Sequence, residues 1–199
     1  MIYVIGSNGY IGSNLMREFP NAIGITRDTK WPEFNEDDVV INCASYFWRG
    51  KDINYVSDVE STNVAIPNRL RQANALVIQL SSTAAHAFNK DIVWIMKHHG
   101  DLLLRGKAHT IYLPTVYGGI NQHKHMFMTA LLDHIQIGAP ITLECPKDTR
   151  DIVHISVLIK TIKQIIQGQL SAIEPITLTC GQYVSFEAIT NIAEGITLG

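Results

Sequence analysis

Residues 2–12 read Ile2-Tyr3-Val4-Ile5-Gly6-Ser7-Asn8-Gly9-Tyr10-Ile11-Gly12, an apolar strand running straight into three glycines spaced by three. The glycines have separate tasks. Gly6 permits a tight turn out of the strand, Gly9 lets backbone N–H groups approach a pyrophosphate, and Gly12 lets the next helix pack against the strand. The open N-terminus of that helix carries unpaired N–H groups and a positive dipole end, which favour an anion. A glycine string alone is a weak signal. Placed after the first strand and opening the first helix, it reads as a dinucleotide-binding loop, with Asn8, Tyr10 and Ile11 beside the cofactor.

Outward from this loop, strand and helix alternate. Strands are expected at 2–5, 22–26, 39–44, 76–81, 110–113, 141–143 and 176–179. Helices are expected at 10–19, 56–73 with a kink or new turn at Pro67, 92–105, 125–137, 155–167 and 185–193, the last capped by Ser185. Residues 28–38 are polar, hold Pro32, and read as loop or a degenerate element. Continuous apolar strands between helices predict an α/β fold, a doubly wound parallel sheet covered on both faces. One domain over residues 1–199 is expected, with a small substrate-side lobe from about 118 to 199 where the alternation loosens.

Composition excludes several classes. Of 199 residues 46% are hydrophobic and 17% charged, and the net charge is −2, which offers no basic surface for nucleic acid or an acidic membrane. The three cysteines, Cys43, Cys145 and Cys180, are far apart without a CxxC, so a reducing, cytoplasmic setting is expected. No apolar run reaches the roughly 20 residues of a membrane span, and the start reads as a strand rather than a signal peptide. The histidines predict no metal site: His98 and His99 are neighbours and so diverge on a helix, and His123 and His125 sit near Met126 and Met128 without a carboxylate at ligand spacing.

Six further segments, in order, carry a resemblance. They are Asp38-Val39-Val40-Ile41-Asn42-Cys43-Ala44, Ser61-Thr62-Asn63-Val64, Leu80-Ser81-Ser82-Thr83, Lys97 with Asp101, Leu113-Pro114-Thr115-Val116-Tyr117-Gly118, and Arg150-Asp151-Ile152-Val153-His154-Ile155. With the glycine loop they resemble the extended short-chain dehydrogenases/reductases, the NAD-dependent epimerase/dehydratase family that modifies nucleotide sugars. The resemblance implies an NAD(P)-binding Rossmann fold with a reduced C-terminal substrate lobe. It implies cofactor contacts at Cys43, Ala44, Ser45, Asn63, Ser81, Lys97, Pro114 and Val116, and substrate contacts at Thr83, Tyr117 and Arg150. In related proteins the helices here at 56–70 and after Ile92 form a dimer face, which makes a homodimer an expectation.

In that family a tyrosine moves a proton on or off a sugar hydroxyl while hydride passes to or from the nicotinamide. A lysine four residues later holds the nicotinamide ribose, and a serine or threonine bonds the reacting oxygen. Thr83 matches the hydroxyl and Lys97 the lysine, but Val93 stands where the tyrosine is expected. Trp94 beside it does not titrate usefully. The chain is therefore read as an NAD(P)-dependent epimerase, dehydratase or reductase-like protein acting on a nucleotide sugar or similar small hydroxyl or carbonyl compound. Its proton carrier would come from elsewhere, with His86, Tyr46 and Tyr117 as candidates. The alternative is a catalytically silent NAD(P)-binding sensor or partner subunit.

Cofactor choice is read at the end of the second strand, Thr26-Arg27-Asp28. Arg27 suits the 2′-phosphate of NADP and Asp28 the ribose of NAD, with a slight lean to NADP. Asp151 and His154 are expected to fasten the substrate lobe to the core. Ser156 departs from the family, which commonly has an aspartate there. Short stretches between Thr26 and Val39 and after Gly181 put a large substrate in doubt.

Overall fold

In a computed structural model the described residues are 1–46, 55–85, 91–123, 126–138, 141–143, 145–170 and 174–197. In chain order the elements begin with β1 (Ile2–Ile5), α1 (Tyr10–Glu18), β2 (Ile23–Ile25), β3 (Val39–Asn42), α2 (Tyr55–Glu60), α3 (Ile66–Leu70), β4 (Leu76–Ser82), α4 (Ile92–Leu103) and β5 (Ala108–Leu113). Then come β6 (Thr115–Tyr117), α5 (Phe127–Ile137), β7 (Thr149–His154), α6 (Ile155–Ile166), β8 (Ile176–Thr177), β9 (Tyr183–Ser185) and α7 (Phe186–Thr197).

Six strands form one sheet in the order β2-β1-β3-β4-β5-β8, every neighbouring pair parallel. Strand order reverses between β1 and β3, which opens a crevice outside their carboxyl ends. Alternation along the strands feeds two cores. Val4, Ile41, Ile78 and Ile111 face Leu15 of α1 and Leu158 and Ile162 of α6. Tyr3, Ile5, Val40 and Val77 face the other way, against Leu70 and Leu104. Each fully buried leucine or isoleucine stabilises the fold by about 1.5–3 kcal/mol. The doubly wound architecture expected from the sequence is thus present.

A second, three-stranded sheet has the order β6-β7-β9, with β6 parallel and β9 antiparallel to β7. It has no forerunner in the sequence reading. β6 and β9 are three residues each, and β7 turns the polar Asp151 inward beside Val153, so no apolar run marks it. Residues 141–143, expected as a strand, pair with nothing among the described residues. Three residues make too few ladder bonds to hold without a vacant sheet edge beside them. Ser185 does cap α7, its Oγ accepting from the Ala188 N–H at 3.1 Å.

The helix across Pro67 is not broken. It runs from α2 to α3 through one π turn, Ser61–Ala65. Pro67 has no N–H for the Asn63 carbonyl, and the widened turn relieves the clash between its ring and that carbonyl. The freed carbonyl sits on α4: a Cβ at Gly100 would lie 2.1 Å from Asn63 O. No helix among the described residues is long and apolar enough to cross a membrane.

Candidate functional site

The glycine loop has the geometry its residues require. Gly6 adopts φ +78°, and a Cβ there would lie 2.9 Å from the Ala44 nitrogen at the end of β3. A Cβ at Gly12 would lie 2.1 Å from Gly6 O, so the third glycine lets α1 press onto the turn itself. Gly9 is the N-cap of α1 and offers no side-chain cap, which leaves the first helical N–H groups without an intrahelical partner.

That helix end opens on a cleft of about 380 Å³ at the crevice between β1 and β3. Gly6, Gly9, Arg27, Cys43, Ala44 and Ser45, all expected at the cofactor, line it. So do Thr26 and Tyr46, and Thr62 from the π turn. Ser45 Oγ is buried without a partner among the described residues. Asn63 Oδ1 accepts from the Tyr46 N–H at 3.3 Å, while its buried Nδ2 also lacks a described partner. A cradle that any Cβ would fill, an uncapped helix end and the orphaned Ser45 hydroxyl in the wall fit a pyrophosphate-bearing dinucleotide. Trp31 lines the same cleft with the Arg69 guanidinium 4.3 Å from its ring centre. The sequence reading missed it; a lone aromatic in the polar stretch 28–38 was the available signal. Asn8 is exposed beside the loop, and Ile11 packs against the core.

Asn8, Tyr10, Ile11, Gly12, Asn63, Ser81, Lys97, Pro114 and Val116, also expected at the cofactor, are not among the described residues lining that cleft. Val116 is buried in the core and Pro114 is half-buried between β5 and β6. Lys97 is 4% exposed and its Nζ donates to the Leu80 carbonyl at 3.3 Å. Burial holds its pKa below the ordinary 10.5, opposed chiefly by the charge of Asp101. The Cys43 thiol is pushed up by burial. Ser81 Oγ donates to Asp101 Oδ2 at 2.5 Å, so its hydroxyl is committed to α4. Val93, 2% exposed, lies one turn before Lys97 on the same face of α4 and carries no proton. Of the alternative carriers, Tyr46 lines the cleft with its ring centre 6.1 Å from that of Tyr55. Tyr117 stands edge-on to His154 at 5.1 Å, and His86 lies outside the described residues.

Of the residues expected at the substrate, Thr83 is exposed and its Oγ1 donates to the Leu113 carbonyl at 3.4 Å. Arg150 pairs with Asp148 at 3.2 Å, both side chains about half exposed, and stacks over Phe186 at 5.1 Å. No hydrogen bond or ring contact joins Thr83, Tyr117 and Arg150 among the described residues. His154 Nδ1 lies 2.8 Å from Ser156 Oγ and caps α6. Asp151 is buried and its Oδ1 accepts from the Cys180 N–H at 3.0 Å and Sγ at 2.8 Å. Burial alone would raise the Asp151 pKa; hydrogen bonds from Cys180 and Thr179 outweigh it and hold the carboxyl below 3.8. Asn14 and Tyr10 tie this side to the loop helix. Asn14 Nδ2 donates to Ile120 O at 2.8 Å, its Oδ1 accepts from Ile120 N at 2.9 Å, and Tyr10 OH donates to Gly118 O at 2.7 Å. Burial pushes the Tyr10 phenol up to about 12. No group of three metal-ligating side chains comes together among the described residues.

No protein-family model matches the chain, and no curated protein matches it. Solved structures do. UDP-glucuronic acid 4-epimerase from Bacillus cereus, in complex with UDP-glucuronic acid and NAD, aligns with a TM-score of 0.79 at 17% identity, covering 100% of this chain and 83% of that one. MoeE5 in complex with UDP-glucuronic acid and NAD aligns at 0.76 and 18% identity, covering 98% and 82%. DesIV, a dTDP-glucose 4,6-dehydratase from Streptomyces venezuelae with NAD and TYD bound, aligns at 0.77 and 15% identity, covering 98% and 80%. At identities this low the alignments show the fold alone: the chain has the doubly wound Rossmann architecture of these proteins, as the sequence led one to expect.

Proposed function

We propose that the chain belongs to the extended short-chain dehydrogenases/reductases. In this reading it binds NAD(P) in the cleft between β1 and β3 and acts as an epimerase, dehydratase or reductase on a nucleotide sugar or similar small hydroxyl or carbonyl compound. The observation that carries this reading is the glycine loop opening, at an uncapped helix end, on a cleft at the switch point of the sheet. When bound, the nicotinamide supplies the hydride acceptor or donor. The chain's own groups do the rest. The α1 N–H groups hold the pyrophosphate. Ser45 offers its orphaned hydroxyl in the cleft wall, and Asn63 holds that wall through the Tyr46 N–H. Lys97 orients the nicotinamide ribose, and Thr83, with Tyr117 and Arg150, orients the substrate.

With valine at 93, proton transfer falls to another group, for which Tyr46 and Tyr117 are the described candidates. Val93 is the one observation on the side of a catalytically silent binder. The epimerase and the dehydratase that share this fold weigh the other way. NADP is preferred over NAD on the strength of Arg27 at the cleft, although the compared structures hold NAD. We also place the chain in the cytoplasm as a homodimer, with residues 118–199 contributing a substrate-side lobe. Val56, Ile95 and Leu102 leave an apolar face on α2 and α4 for the dimer.

Titration with NAD⁺, NADH, NADP⁺ and NADPH, read by calorimetry and by tryptophan-to-nicotinamide energy transfer, tests the reading. Saturable binding of one pair supports it and decides the Arg27 question. No binding at millimolar cofactor overturns it. Val93→Tyr creating or sharply raising hydride transfer would identify the native chain as a degenerate enzyme.

A further inference from the structure

We propose that Asp101 is a positioning residue: buried one helical turn beyond Lys97 and gripped by Ser81 and Gln79, it supplies the compensating charge for the buried Lys97 ammonium. The functional meaning of this rests on the role proposed above for Lys97. An ammonium out of water costs several kcal/mol unless it is paired and bonded. At 4% exposure Lys97 has a neutral carbonyl, Leu80 O, as its hydrogen-bond partner. Asp101 is 5% exposed and shares the same helix face at i+4.

The carboxylate is itself held. Ser81 Oγ donates to its Oδ2 at 2.5 Å, and Gln79 Nε2 reaches its Oδ1 at 3.4 Å. Gln79 Oε1 in turn accepts from Asn42 Nδ2 at 2.8 Å, and Asn42 Oδ1 accepts from the Ala44 N–H at 3.2 Å. A line of polar side chains therefore runs from α4 through β4 and β3 to a backbone group of the cleft wall. Interior strands of a parallel sheet are ordinarily apolar, so two neutral amides and a hydroxyl there need a reason. Orienting one carboxylate in a dry site is such a reason, since each bond to the charged form favours it.

The titratable groups acting on Lys97 are Asp101 on its own helix and Cys43 just past β3, with β4 contributing the Leu80 carbonyl. At its other end Asp101 acts on Tyr112 of β5, whose phenol is raised chiefly by burial and then by the Asp101 charge, with Arg105 opposing. Among these, Asp101 is the carboxylate. The thiol, raised by burial, is neutral near pH 7 and cannot replace it.

The test uses the full chain labelled with ¹³Cε-lysine, the Lys97 signal being assigned by its loss in Lys97→Met. Asp101→Asn keeps the shape and removes the charge, and the Lys97 midpoint is expected to move to lower pH, with Asp101→Glu restoring it. NADPH or NADH affinity in Asp101→Asn should then fall away at lower pH than in the native chain, a change that a merely structural residue would not cause. An unmoved midpoint, or an unchanged affinity profile, overturns the inference. Should Asp101→Asn not fold, the native chain decides. The Lys97 ¹³Cε and Asp101 ¹³Cγ signals must share a step on acidification, and separate steps overturn the inference. The NMR readouts use no cofactor. A chain that binds no NAD(P) yet shows the coupling would refute the proposed function and leave Asp101 as the compensating charge.

Discussion

The glycine-loop end and the substrate-side end of this chain are built differently. At the loop, recognition is made of backbone: three glycines, an uncapped helix end, and spaces too tight for a Cβ at Gly6 and Gly12. At the proposed substrate side the candidate contacts are exposed side chains that already have local partners, Arg150 with Asp148 and Phe186, Thr83 with Leu113 O. Backbone recognition tolerates almost any surrounding sequence. Side-chain recognition changes with each substitution. Likeness in fold at 15–18% identity is therefore a better guide to the loop than to whatever is handled beyond it.

The sharpest way to break this contrast is Gly12→Ala. Its methyl meets Gly6 O at 2.1 Å, and forcing the turn open should cost about 3 kcal/mol and remove measurable dinucleotide binding. Thermal unfolding with the cofactor titration checks both. Asn14→Ala cuts the link between the two ends. It strands the Ile120 N–H and carbonyl, each lost bond costing roughly 1–3 kcal/mol where buried, and urea unfolding should register it with dinucleotide affinity largely kept. Asp151→Asn gives a pH signature. A carboxyl held below 3.8 contributes stability that is present above that pH and lost as pH falls through the lower folded value. The variant should be less stable than the native chain at pH 7, and the gap should close on acidification, as seen in unfolding midpoints across pH. Smallest is Arg150→Ala. An exposed ion pair is worth about 0–1 kcal/mol, so stability and dinucleotide affinity should hardly move. A loss confined to substrate affinity would mark the substrate side as working through this side chain.

Legibility followed the same divide. The central strands and α1 were plain because continuous apolar runs and glycine spacing act locally. The second sheet was not, because β7 buries Asp151 against Cys180 and Thr179, partners far along the chain. Trp31 escaped because its place on the cleft depends on Arg69 and on the packing of Phe34 against Tyr3, none of which a linear pattern records. Residues 43–45 were assigned to the cofactor by resemblance and do line the cleft, whereas Ser81 and Lys97, assigned in the same way, are engaged behind it with Asp101 and Leu80.

The seating of the Asn63 carbonyl on Gly100 works as a register lock. α3 and α4 cannot slide past one another without driving a carbonyl into a helix backbone. Asn63 also holds the Tyr46 N–H of the cleft wall, and Gly100 stands three residues after Lys97. Wall and lysine are thereby linked through one close backbone contact, so a side chain added at Gly100 would be felt at both.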